Sequence, residues 1–171
     1  SNLPVQLGLL DVWYRNFHGF TSRCVAPYHQ GLRRLPAYLQ QLKQRAHVNG
    51  VSLCGFSTHQ GFLSPDPAVR QKNIDHTNRA IEIAYAIGIP TMRVNTGRWG
   101  TGKDFDELMA NRGIEPRLEG YSDDDGFKWV IDSFEKCVPT AEKCGVTLGL
   151  ENHWGLGLTP EGVLRIVNAI N

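Results

Sequence analysis

Three polar clusters carry the side chains that acid–base work and metal ligation require: Ser57-Thr58-His59-Gln60-Gly61, Asn95-Thr96-Gly97 and Glu151-Asn152-His153-Trp154-Gly155. Each follows a short β-branched or apolar run. Side chains alternate along a strand, so Gly149, Glu151 and His153 share one face while Leu148, Leu150 and Asn152 share the other. The two leucines are expected to pack on helices, which turns Glu151 inward. By the same phase Ser57 and His59 point one way, and Arg93 and Asn95 do so in a second strand. An inward carboxylate, with Gly149 leaving room beneath it, is costly unless it is paired or binds a metal. Glu151 therefore has three open roles: metal ligand, general base, or half of an ion pair with Arg93. His153 and His59 stand at strand ends, either as chemical groups or as hydrogen-bonding wall residues.

The elements that must position these groups follow one repeated pattern of amphipathic stretch, glycine, short apolar run and polar cluster. Its copies are Leu35 to Asn49, Gly50 and Val51 to Phe56; Val69 to Ile87, Gly88 and Thr91 to Val94; and Phe127 to Cys144, Gly145 and Val146 to Leu150. Ile74, Thr77, Ile81, Ala84 and Tyr85 recur three or four apart, as do Val130, Phe134, Cys137 and Val138, which predicts helices. Pro139 should kink or interrupt the third. The glycines accept a left-handed C-cap, and Pro65-Asp66-Pro67 and Thr159-Pro160-Glu161 supply N-cap oxygens with a proline at the first helical position. Val5 to Val12 reads as a further strand and Trp13 to Gly31 as a loop. Strands alternating with helices predict a parallel sheet with crossover helices, whose ligands gather at the carboxyl ends of the strands. The segment 98–126 reads as a long loop insertion, either a surface excursion or a lid.

Composition narrows the function. The 171 residues carry 18 basic and 17 acidic side chains, a net charge of +1, so no excess of positive charge faces nucleic acid or an anionic membrane. No apolar run approaches the ~20 residues of a membrane span, and the start lacks the charged and apolar regions of a secretory signal. A cytoplasmic protein is the expectation. Cys24, Cys54, Cys137 and Cys144 form no Cys-x-x-Cys pair and read as reduced structural thiols. Gly97-Arg98-Trp99-Gly100-Thr101-Gly102-Lys103 matches a phosphate-binding loop up to its lysine. Asp104 then stands where a hydroxyl is needed, and its charge would repel phosphate.

Leu148-Gly149-Leu150-Glu151-Asn152-His153, with Lys143-Cys144-Gly145-Val146 before it, resembles the central strand of the xylose isomerase-like TIM barrels, the sugar phosphate isomerase/epimerase proteins that share their fold with endonuclease IV. Pro65 to Arg70, Ala84 to Pro90 and Met92 to Gly97 support the likeness, which spans roughly residues 35–170. It implies a partial (β/α) barrel of about four parallel βα units in a single domain, since a closed barrel needs ~200 to 250 residues. It also implies one divalent cation, manganese, magnesium or zinc, with Glu151 as its first acidic ligand. The family's remaining ligands, an aspartate, a histidine and a second glutamate, come from later strands and are expected beyond this chain.

The resemblance further implies a sugar or polyol substrate, with catalytic roles for Glu151 and His153. His59 and Asn95 would then meet sugar hydroxyls, and Trp99 or Trp154 would form an apolar wall. Asn95 stands where the nuclease branch has a histidine, and Gly157 where the ketose 3-epimerase branch has a second glutamate, so both assignments are disfavoured. The expected activity is isomerisation or epimerisation through an ene-diolate. The alternatives are a non-catalytic carbohydrate-binding or assembly module, and a metal-dependent hydrolase or lyase on the same barrel. A homo-oligomer or a missing barrel half is the expected partner, because an open parallel sheet leaves unpaired edges.

Overall fold

The computed structural model describes residues 35–170. The strand expected at Val5 to Val12, the loop at Trp13 to Gly31 and Cys24 lie outside them. In chain order the elements are α1 (Leu35–Val48), β1 (Phe56–Ser57), α2 (Pro67–Ile87), β2 (Thr91–Val94), α3 (Phe105–Ala110), α4 (Asp123–Glu135), α5 (Val138–Cys144), β3 (Thr147–Leu150), a 3₁₀ turn (Gly155–Gly157) and α6 (Pro160–Ile170). The strands form one parallel sheet in the order β1-β2-β3. Sequential parallel order with helical crossovers is the winding of a (β/α) barrel.

The helix boundaries follow the sequence signals closely. Asp66 caps α2, accepting the amide of Ala68 at 2.8 Å with Pro67 at the first helical position, and Gly88 ends the helix at φ 80°. Pro139 does interrupt the third helical stretch. It falls in the first turn of α5, and α4 has already ended at Glu135. A proline inside a continuous helix would lack its amide donor and clash with the preceding turn.

Two expectations need revision. The strand read as Val51 to Phe56 is paired in the sheet only at Phe56–Ser57. Register explains this: Phe56 sits opposite Met92, so residues before Gly55 lie level with Ile89 and Pro90, ahead of the start of β2. The insertion 98–126 is likewise not a plain loop. It contains α3, capped by Asp104, and the first turn of α4, where Asp123, Asp124 and Asp125 follow the N-cap Ser122. Acidic side chains are favoured there by the helix dipole.

The core lies between the sheet and its helices. Met92 and Val94 on β2 are buried with Ile81 and Ala84 of α2, Val130 and Phe134 of α4 and Ile166 of α6, and Leu148 and Leu150 pack against the same cluster. Phe62 meets Phe134 edge-on at 5.0 Å. Burying a side chain of this size contributes about 1.5–3 kcal/mol. Apolar residues at alternate positions of β2 and β3 thus commit one face to the helices, and Arg93, Gly149 and Glu151 fall on the other.

Candidate functional site

At the carboxyl end of the sheet, β2 and β3 are joined by Arg93 and Glu151. The register pairs Arg93 with Gly149, so Glu151 lies one pleat further along the same face. Arg93 Nη1 donates to Glu151 Oε2 at 2.9 Å, with only 17% and 22% of the two side chains exposed. Of the three roles open to Glu151, the ion pair is present. Burial nevertheless holds the Glu151 pKa above its ordinary value, and Arg93 offsets only part of that rise.

His153 approaches the same carboxylate oxygen, Nδ1 to Oε2 being 3.7 Å. Burial first, then the charges of Arg93 and His59, push the His153 pKa down to about 4. At neutral pH His153 is a neutral ring with a lone pair to offer.

The rim of β2 carries the rest. The buried Asn95 places its side-chain amide nitrogen 3.3 Å from His59 Nδ1, while its side-chain oxygen accepts the Gly97 amide at 3.1 Å. His59 and His153 lie 6.4 Å apart, ring to ring. β1 ends at Ser57, and the side chain of Gln60 then takes its place, accepting the Asn95 backbone amide at 2.9 Å. Thr58 Oγ1 bonds to His76 Nε2 at 3.0 Å and the Gly61 amide donates to Asn73 at 2.8 Å, which ties this loop to α2. Gly97 is required at this crossing: its φ is 84°, and a Cβ would lie 2.7 Å from the Gln60 carbonyl oxygen.

Trp154 stands beside His153, the ring centroids 3.9 Å apart, and its carbonyl accepts the Thr96 hydroxyl at 3.0 Å. Of the residues singled out by sequence, His59, Asn95, Glu151, His153 and Trp154 therefore converge. Trp99 instead joins a second aromatic group, edge-on to Trp129 at 6.4 Å and close over Gly126. Sequence reading passed over Gln60 and Thr96 as individual contributors, although both sit in the polar clusters it identified. An open groove along α1, lined by Tyr38, Gln41, Leu42 and Arg45, includes none of the converging residues.

The donor set suits a metal in part. Glu151 is a desolvated carboxylate and His153 a neutral imidazole, both acceptable ligands, yet among the described residues no group of three His, Cys, Asp or Glu side chains is placed to hold an ion. Two buried donors, Arg93 Nε and Gln60 Nε2, also have no acceptor there. Gly157 packs tightly, since a Cβ there would lie 3.3 Å from the Glu151 carbonyl oxygen and 3.4 Å from Thr96.

Comparison with known proteins bears on the fold. The chain superposes on D-psicose 3-epimerase from Clostridium cellulolyticum with a TM-score of 0.60 at 18% identity, covering 86% of this chain and 47% of that one. It superposes on a D-tagatose 3-epimerase-like protein with a TM-score of 0.58 at 22% identity, covering 81% and 48%. At such identities the likeness is one of fold. A shorter match, 69% identical over 61 residues, links 36% of this chain to 11% of the glucose-6-phosphate isomerase of Leptothrix cholodnii. The chain thus spans about a tenth of that curated relative and about half of the solved structures it matches. The xylose isomerase-like TIM barrel profile matches residues 16–171. With a sequential parallel sheet, polar residues gathered at its carboxyl end and this match over most of its length, the chain belongs to the xylose isomerase-like TIM barrel family and forms part of such a barrel.

Proposed function

We propose that this chain is the Glu151-bearing part of a sugar isomerase or epimerase, acting on a sugar or polyol. The supporting observation is the half-buried Glu151 at the carboxyl end of β3, beside a neutral His153 and within reach of Arg93. Glu151 would be the first ligand of a divalent cation, manganese, magnesium or zinc, with the other ligands supplied by the rest of the barrel. The cation's contribution when bound is to polarise neighbouring carbonyl and hydroxyl oxygens, which acidifies the C–H beside the carbonyl.

The chain's own residues prepare the substrate. Arg93 holds the Glu151 carboxylate in one orientation. Neutral His153 accepts a hydrogen bond from a sugar hydroxyl, His59, held by the Asn95 amide, meets a second, and Trp154 covers an apolar sugar face. In the proposed reaction a carboxylate takes the proton from the carbon beside the carbonyl, leaving an ene-diolate, and returns it to complete the isomerisation. Gly157, which stands where the resemblance expects the second glutamate of the ketose 3-epimerase branch, disfavours that variant of this chemistry.

The test is Glu151→Gln in the complete protein, with manganese affinity read by calorimetry and turnover by sugar interconversion. Loss of both is expected; retention of both would remove Glu151 from the metal site. A second reading, a carbohydrate-binding or assembly module, draws on the sheet, where β1 and β3 each pair only with β2 among the described residues. Metal affinity with sedimentation separates the outcomes. Self-association without metal affinity favours the assembly module, whereas a monomer without metal affinity favours a self-contained fold and counts against the part-barrel reading. No helix among the described residues is long and apolar enough to cross a membrane.

A further inference from the structure

We infer that the segment 97–116 is a wall of the candidate site, latched at its base by Glu115, and that Glu115 is a positioning residue for Trp154. The inference rests on reading the Glu151–His153 end as the substrate face. Ile114 next to it is 60% exposed, yet the Glu115 side chain is only 3% exposed. Its carboxylate turns into the glycine-rich turn and accepts the amides of Gly102 at 3.3 Å and Gly100 at 3.4 Å, with Arg98 Nη1 at 3.9 Å.

The neighbouring contacts close the same loop. Thr101 Oγ1 donates to the Pro116 carbonyl at 2.7 Å, and the Lys103 amide donates to Glu107 at 2.6 Å. The amides of Gly100, Gly102 and Lys103 in this phosphate-loop-like turn are therefore taken by the chain's own carboxylates. Gly102 leaves the carboxylate its space, since a Cβ there would lie 3.2 Å from Glu115 Oε1.

Both arms of the latched segment end on one side chain. Phe105, at the start of α3, meets Trp154 edge-on with centroids 6.3 Å apart. Gly113, two residues before Glu115, backs the same indole so closely that a Cβ would lie 3.4 Å from its Cε3. Trp154 in turn abuts His153. Contacts thus run from Glu115 to the glycine turn, the chain leads from that turn into Phe105 and from Gly113 into Glu115, and Phe105 and Gly113 both touch Trp154 beside His153. Phe105 is 61% exposed, which leaves an aromatic surface beside Trp154 suited to the apolar C–H face of a sugar ring.

Amide exchange and ring-to-ring nuclear Overhauser contacts in the full chain test this latch. Glu115→Ala is expected to speed exchange at Gly100 and Gly102 by about tenfold, to abolish the Phe105–Trp154 contacts and to shift the His153 ring resonances, with Met92 and Ile81 still protected. Glu115→Gln, which keeps one acceptor, should restore the Phe105–Trp154 contacts. If Glu115→Ala does not fold, faster exchange at Gly100 and Gly102 in Glu115→Gln carries the same expectation. Unchanged exchange in the folded variant tested, or in Glu115→Ala faster exchange with the Phe105–Trp154 contacts intact, overturns the inference. None of these measurements involves a sugar, so failure of the latch is distinguishable from failure of the substrate reading.

Discussion

Arg93 and Glu151 meet diagonally across β2 and β3 at 2.9 Å, with Arg93 opposite Gly149 in the register. The pair is partly desolvated, and its carboxylate still titrates above the ordinary range. Breaking a buried pair costs more than the pair contributes, because one charge is left without compensation.

Arg93→Met should therefore destabilise the chain at pH 7 by about 1–3 kcal/mol, a value reduced from that of a fully buried pair because water reaches both groups. The Glu151 pKa is raised on folding, so this residue's contribution is most favourable below its unfolded value and is lost as pH rises through the folded one. The penalty of Arg93→Met should accordingly shrink toward pH 4, and Arg93→Met with Glu151→Gln should recover much of it. Urea unfolding at the two pH values measures both effects, and a pH-independent loss would contradict the assignment.

His153 has the opposite dependence. Its folded pKa, about 4, lies below the unfolded value of 6.5, so the unfolded chain binds more protons between those limits. Stability from this residue is fully present above pH 6.5 and is lost as pH falls toward 4. His153→Gln should flatten that part of the stability profile. A residual slope is expected from His76, whose pKa burial also lowers.

Thiol reactivity should separate the cysteines of the described region. Cys137 is buried, and burial raises its pKa to about 12, so almost no thiolate is present at neutral pH. Cys54 and Cys144 are partly exposed. Mass spectrometry after brief alkylation of the folded chain should find Cys137 unmodified until denaturant is added. Early labelling of Cys137 would mean that α5 opens locally.

At the start of α4, the Ser122 hydroxyl accepts the Asp125 amide at 3.2 Å and the Asp125 carboxylate accepts the Ser122 amide at 2.9 Å. Ser122→Ala should cost about 1 kcal/mol. Hydrogen bonds from Ser122 hold the Asp125 pKa below its usual value, so this cap's contribution is present at neutral pH and declines as acid protonates Asp125. Thermal unfolding of Ser122→Ala at pH 7 and pH 3 should show a smaller difference from the parent at the lower pH.

Much of the architecture is local in origin and could be read from the chain. Helical spacing, the Asp66-Pro67 start, the glycine stops at 88 and 145 and the interrupting Pro139 act through backbone geometry within a few residues. Strand alternation likewise assigns Leu148 and Leu150 to one face and Glu151 to the other. Such features hold wherever the segment is placed, which is why β2, β3 and α2 match their sequence signals.

The remaining features depend on distant partners. β1 is short because its register against β2 puts Val51 to Cys54 ahead of the paired strand, an offset invisible in either segment alone. Arg93 and Glu151 are 58 residues apart, and Asn95 and Gln60 are 35 apart; only sheet pairing selects these neighbours. Trp99 and Trp154 look equivalent along the chain, but packing sends one to Trp129 and the other to His153. The sequence by itself determined which residues were able to form a polar strand-end site. Tertiary structure decided which of them meet, because long-range register and burial, rather than local propensity, set the distances and the charge states on which any chemistry there depends.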